Sequence, residues 1–176
     1  MNKDEDNTGE TGSNEILQRA KDLLLESGNC AQTSFAILQQ EFDLDGEQIL
    51  RALTPFPGIA LRGETCGAVI GSLMALGLIY GRDDLKDWRG YLGSLPSARR
   101  FCKRFEEING STACSAILQE KLGRDFDLAD KVEALEYAAE GGPDACADVV
   151  ARAVEIASEG IRKKRAPSSL SHENSG

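Results

Sequence analysis

Five cysteines offer the most concentrated chemistry in this chain, and four of them stand where helices are expected to begin. Cys30 follows Gly28-Asn29, Cys66 follows Thr65, Cys114 follows Gly110-Ser111-Thr112, and Cys146 follows Gly141-Gly142-Pro143-Asp144. Cap and breaker residues of these types mark helix starts. The first turn of a helix carries amide N–H groups without helical partners and the positive end of the macrodipole. A thiolate there is stabilised, so its pKa is expected to fall. Thiolates attack disulfides, are oxidised reversibly and ligate soft metals. Cys102 falls inside a predicted helix instead and reads as a structural thiol.

Other chemistries are excluded by what the sequence lacks. His172 is the only histidine and lies near the C-terminus, outside the expected domain. A Cys-His nucleophilic pair or a Ser-His-Asp triad inside the domain is therefore impossible. Histidine-rich zinc and non-haem iron sites are excluded likewise. No haem c attachment motif, no Cys-x-x-Cys, no GxGxxG and no Walker loop occurs. The carboxylates are scattered on polar helix faces. Four cysteines can close a tetrahedral zinc site or hold an iron–sulfur cluster. Their separations of 36, 48 and 32 residues do not match zinc ribbons or ferredoxins, so the fold would have to assemble any joint site. Plain burial is the alternative: cysteine also packs as a small hydrophobe, and Cys66, Cys114 and Cys146 each share an apolar face with aliphatic residues.

The elements that must position these thiols all read as helical. The chain has 176 residues, enough for one domain with a sizeable core. Ile16, Ala20, Leu23 and Leu24 recur at helical spacing, as do Ala31, Phe35, Leu38 and Phe42. A short helix is expected over 45–53, followed by a long apolar-rich loop from Thr54 to Thr65. A central helix from Cys66 to Tyr80 carries Val69, Ile70, Leu73 and Leu76 on one side. Gly67, Gly71 and Ala75 form a small-residue row on it, able to seat another helix of the chain or a second copy in a homodimer. Irregular chain is expected from Gly81 to Gly93. A helix from Ser94 would then turn Ala98, Phe101, Phe105 and Ile108 inward. Two more helices follow, the second with Leu128, Val132, Leu135 and Ala139, and a last one carries Val149, Val150, Ala153 and Ala157. The expectation is an all-α, single compact bundle of seven or eight helices over 14–162, with disordered tails at 1–13 and 163–176.

Lys plus Arg number 20 and Asp plus Glu 29, a net charge of -9. An acidic balance disfavours sequence-independent nucleic-acid binding. The N-terminal residues Met1-Asn2-Lys3-Asp4-Glu5-Asp6 show no signal-peptide pattern, so a cytoplasmic, reducing location is expected. The uncharged stretch from Thr65 to Gly81 reaches only the lower end of the roughly 17–25 residues that cross a bilayer and holds four glycines. It reads as a core helix, and no membrane span is expected.

Asn29-Cys30-Ala31-Gln32 and Cys66-Gly67-Ala68-Val69-Ile70-Gly71 resemble the two hallmark segments of the C-GCAxxG-C-C family of redox-active proteins. That family is a single helical domain of similar length with four characteristic cysteines. Cys30 matches the first, Cys66 the motif cysteine, and Cys114 and Cys146 resemble the third and fourth. The resemblance runs from about Glu15 to Ser158. The chain departs from the pattern in its extra Cys102 and in a loop, Phe56 to Gly63, that is less glycine-rich. A related domain occurs in split-Soret-type cytochromes c with an iron–sulfur centre and haems. Without a haem motif here, only the cluster is implied. The resemblance thus implies electron transfer with a redox partner protein and an iron–sulfur cluster on Cys30, Cys66, Cys114 and Cys146. A thiol–disulfide protein with Cys30 and Cys66 as the reactive pair stays open. So does a non-enzymatic helical module with structural zinc or buried thiols.

Overall fold

The computed structural model describes residues 7–166. Among them are nine α-helices and no strand: α1 (Asn7–Ser27), α2 (Cys30–Phe42), α3 (Glu47–Ala52), α4 (Gly58–Leu61), α5 (Gly67–Tyr80), α6 (Trp88–Asn109), α7 (Cys114–Leu122), α8 (Lys131–Ala139) and α9 (Gly142–Arg165). The all-α expectation holds, with more helices than expected, because one-turn α4 forms inside the loop read as irregular. α1 starts at Asn7 rather than 14, and α9 runs to Arg165. Residues 1–6 and 167–176 of the expected tails lie outside the described residues. No helix among the described residues is long and apolar enough to cross a membrane.

The core is built on α5, which lies against α2, α6 and α9, with α1 closing over α9 and α2. Phe35, Leu38, Phe105, Val150, Val154 and Ile161 are among its fully enclosed side chains. The small-residue row has its partner within the chain, where it seats α2. A Cβ at Gly67 would stand 2.5 Å from Cys30 Sγ, and one at Gly71 only 2.2 Å from the Ala31 carbonyl oxygen. Absent side chains at these two positions, four residues apart on one face, let the α2 backbone rest directly on α5. Glycine costs about 1 kcal/mol relative to alanine inside a helix, and this close packing offsets it.

Three sequence expectations fail for traceable reasons. α6 begins at Trp88, six residues before Ser94, because the Asp87 side chain accepts from the Gly90 amide and caps it. Pro96 is tolerated inside this helix, where it leaves the Leu92 carbonyl without its usual amide donor. Ile108 is half exposed rather than inward, and the buried residue of that turn is Asn109. Val132 and Leu135 of α8 are also exposed, at 63% and 72%. This helix instead turns Ala134 and Tyr137 toward the protein.

Candidate functional site

Each of the four cysteines at a helix start is placed by a local device. Asn29 caps α2: its side-chain oxygen accepts from the Ala31 and Gln32 amides, and its side-chain nitrogen donates to the Thr54 carbonyl. Cys30, the first residue of α2, is thereby tied to the chain before α4. Cys66 is the cap residue of α5, and Cys114 is the first residue of α7. These two are joined by a single antiparallel bridge between Thr65 and Ala113. The Cys66 amide donates to the Thr112 carbonyl at 2.8 Å and the Cys114 amide to the Glu64 carbonyl at 2.6 Å. Cys146 is the fifth residue of α9, one step past the first turn where the sequence placed it.

The Gly58–Leu61 turn closes the site. Gly58, Ile59, Ala60 and Leu61 all have positive φ, from 51° to 62°, so α4 is a left-handed turn. Glycine suits this conformation, but each of the other three residues bears a steric cost of roughly 1–2 kcal/mol. Bonds from the Ala60 amide to the Pro55 carbonyl and from the Leu61 amide to the Pro57 carbonyl hold the turn. Gly58 meets Cys114, whose Sγ would be 3.4 Å from a Cβ on that glycine. Backbone strain of this kind concentrates at functional sites.

Together these elements enclose a chamber of about 80 Å3. Cys30, Cys114 and Cys146 line it, with Leu24, Leu61, Leu118 and Phe126 among its apolar walls. Cys66 lies behind Cys30, buried, and its thiol is hydrogen-bonded to Cys30. All five cysteines are reduced thiols. Cys102 lies apart, on α6 against the core.

Cys66, Cys114 and Cys146 have raised pKa values, not the lowered ones expected from their helix starts. Cys66 is pushed well up, first by its hydrogen bond with Cys30, then by burial and the Cys30 charge. The Ala68 and Val69 amides do favour its thiolate, as the sequence argument required, but they are outweighed. Burial pushes Cys114 up to about 12, with the charges of Cys66 and Cys146 adding to it. Burial likewise takes Cys146 up to about 11, against an opposing hydrogen bond from Tyr137. Close thiols that each raise the cost of ionising the next remain protonated at neutral pH unless a cation enters to offset their charge.

Tyr137 is the site residue that the sequence did not reveal. It lines the chamber, hydrogen-bonds to Cys146 and feels the charges of Cys146, Cys30 and Cys114. Burial is the main reason its own pKa is raised. Its ring lies over the start of α9, where a Cβ on Gly142 would come within 2.1 Å of it. The apolar pattern of α8 pointed to Val132 and Leu135 instead, and a lone tyrosine on a short helix gives no local signal.

The motif Cys-Gly-Ala-x-x-Gly can now be read physically. Cys66 supplies a thiol, Gly67 makes room for the Cys30 sulfur, Ala68 is fully buried, and Gly71 makes room for the α2 backbone. Over residues 28–160 the chain matches the family described as "Putative redox-active protein (C_GCAxxG_C_C)". The chain belongs to this family. A relative in sequence is an "Uncharacterized protein" of Archaeoglobus fulgidus, 26% identical over 157 residues, which span 84% of this chain and 94% of that one. No solved structure matches the chain.

The thiols of this C-GCAxxG-C-C chamber differ in how well they suit a single metal ion and a cluster. A single zinc needs its thiolates about 2.3 Å from one point. Among the described residues, no three His, Cys, Asp or Glu side chains are grouped to hold one metal ion. An iron–sulfur cluster is wider than one ion and takes sulfur ligands spread around it. Three thiols on an apolar chamber, with the Cys66 thiol beside Cys30, suit that group in chemistry.

Proposed function

We propose that this protein is a redox module whose four-thiol chamber takes up an iron–sulfur cluster on Cys30, Cys66, Cys114 and Cys146 for electron transfer with a partner protein. One observation carries the reading: Cys30, Cys114 and Cys146, far apart in sequence, line one chamber with Cys66 beside Cys30, and Cys102 is left out. A pair of thiols would suffice for disulfide exchange, and a packed core has no need to bring cysteines from four separate helices to one region. A bound cluster would supply one-electron chemistry. The protein's own part is to hold the ligands, exclude water with the Leu24, Leu118 and Phe126 walls, and direct the α5 amides of Ala68 and Val69 at the Cys66 sulfur.

The test is anaerobic reconstitution of the full chain with ferrous iron and sulfide, followed by iron and acid-labile sulfide analysis and a visible spectrum. A coloured, iron-containing product is expected. Replacing any one of the four chamber cysteines with serine should reduce the bound iron, whereas Cys102→Ser should not. A colourless, iron-free product overturns the reading.

The hydrogen bond between Cys66 and Cys30 favours a second reading, that these two form a reversible disulfide. An external disulfide would accept two electrons and two protons from the pair and leave as two thiols, while a sulfur–sulfur bond forms between Cys30 and Cys66. Mild oxidation should then yield one Cys30–Cys66 crosslink by mass spectrometry. Scrambled or absent pairing rejects it.

A further inference from the structure

A second cavity lies toward the C-terminal ends of α5 and α9, away from Cys66 and Cys146 at their starts. It measures about 220 Å3 and is formed by α5, α6 and α9. Its base is apolar, with Leu76, Phe101 and Ile156 each at least nine-tenths buried. Arg100, Arg104 and Lys163 stand on its walls with a single carboxylate, Glu159. Arg104 is already paired with that carboxylate. Among the described residues, neither Arg100 nor Lys163 makes an ion pair within 4.0 Å. Tyr80 spans the cavity end, donating from its hydroxyl to the Gly160 carbonyl at 2.7 Å. Cys66 to Tyr80, and Cys146 to Gly160, are each fourteen helical steps apart. At 1.5 Å per residue, the cavity lies about 20 Å from Cys66 and Cys146.

Cations in the last turn of α9 would by themselves answer the negative end of that helix. Arg100 and Arg104 have no such reason, for they lie in the interior of α6, well before its C-terminus. The whole chain carries a net charge of -9, so a cavity where cations outnumber carboxylates by three to one runs against the surrounding field. Arginine forks and a lysine ammonium recognise phosphate and carboxylate oxygens, while an apolar base desolvates a carbon skeleton.

We infer that this cavity binds a small organic anion: a phosphate or carboxylate group held by Arg100 and Lys163, on an apolar body resting over Leu76 and Phe101. The site is separate from the thiol chamber and stands whether or not the chamber holds a cluster.

The experiment is an NMR titration of the full chain with phenyl phosphate, alongside inorganic phosphate and benzyl alcohol as probes of each half. Phenyl phosphate should give saturable amide shifts centred on residues 76–80, 97–104 and 156–163. Benzyl alcohol should give none, and inorganic phosphate should bind more weakly. The double variant Arg100→Gln/Lys163→Gln should bind phenyl phosphate at least about tenfold more weakly, from the loss of two charge-assisted contacts, with an unchanged circular dichroism spectrum. Three results would overturn the inference: no saturation below about 10 mM, a double variant that binds as well as the parent, or shifts scattered over other lysines and arginines. Equal affinity for inorganic phosphate would overturn the apolar half of the assignment.

Discussion

Replacing Gly71 with alanine should destabilise this protein, although helix propensity favours alanine over glycine by about 1 kcal/mol. A Cβ at position 71 would lie 2.2 Å from both the Ala31 carbonyl oxygen and Ser34 Oγ. Neither atom can swing aside: one is backbone, and the Ser34 hydroxyl donates to that same carbonyl. Ala31 and Ser34 are both fully buried. Ordinary contact would need α2 and α5 to part by roughly 1 Å in a close-packed interior. Overpacking of this kind costs about 1–3 kcal/mol, occasionally more, against the propensity gain. With a clash this severe the cost falls at the upper end, leaving a net loss of about 2 kcal/mol. In a chain of this size that is a fall of roughly 4–8 °C in Tm. Gly77 on the same helix is the control, since nothing lies within 4 Å of its would-be Cβ. Gly77→Ala should therefore stabilise by about 0.5–1 kcal/mol. Urea unfolding followed by circular dichroism would read both, compared at equal slope. A Gly71→Ala protein as stable as its parent would refute the close seating of α2 on α5, and with it the placing of Cys30 against Cys66.

Three further outcomes follow from the site. Tyr137→Phe removes the hydroxyl that holds the Cys146 pKa down, so Cys146 should move further above about 11; iodoacetamide labelling at pH 9, mapped by mass spectrometry, should slow several-fold at Cys146, and unchanged labelling would separate Tyr137 from the thiols. Asn29→Ala should cost about 1–2 kcal/mol through the lost cap, while Asn29→Asp, which keeps the cap acceptor and loses only the bond to Thr54, should cost less in the same denaturation assay. In the reduced, metal-free protein, Cys114 and Cys146 keep their protons to about 12 and 11, above the ordinary thiol value of about 9; the folded state then holds protons that the unfolded chain releases, so stability is whole below pH 9 and declines as pH rises toward 11 and 12. A urea midpoint that stays level from pH 9 to 11 would contradict this.

The helix starts were legible because caps and breakers act locally: Asn29 before Cys30 and the glycine break before Cys146 do in the structure what their types suggest. The same locality explains the failures. Helix-start placement predicted stabilised thiolates, and the amides are indeed aimed at Cys66, but the sign of its pKa shift is set by Cys30 and by burial. Those neighbours arrive from 36 residues away and leave no trace in the local sequence. Val132 and Leu135 made a plausible inward face, yet packing turned Tyr137 toward the chamber, a choice made by α9 and Gly142 rather than by α8. The left-handed turn at Gly58–Leu61 was hidden because Ile59, Ala60 and Leu61 are residues that seldom adopt it, and they are held there by backbone hydrogen bonds that include those to Pro55 and Pro57.

The Thr65–Ala113 bridge has a consequence for the order in which the protein matures. Proteins with close-set cysteine pairs can bind metal while still unfolded and use it to nucleate their fold. Here Cys66 and Cys114 meet only when two segments nearly fifty residues apart have docked, and Cys30 and Cys146 join from further along the chain in either direction. Loop closures of that length come late in folding. The chamber is therefore a product of the finished fold and not its seed. Any group it accepts must be delivered to a folded apoprotein, and once bound it acts as a brake on unfolding by mass action alone.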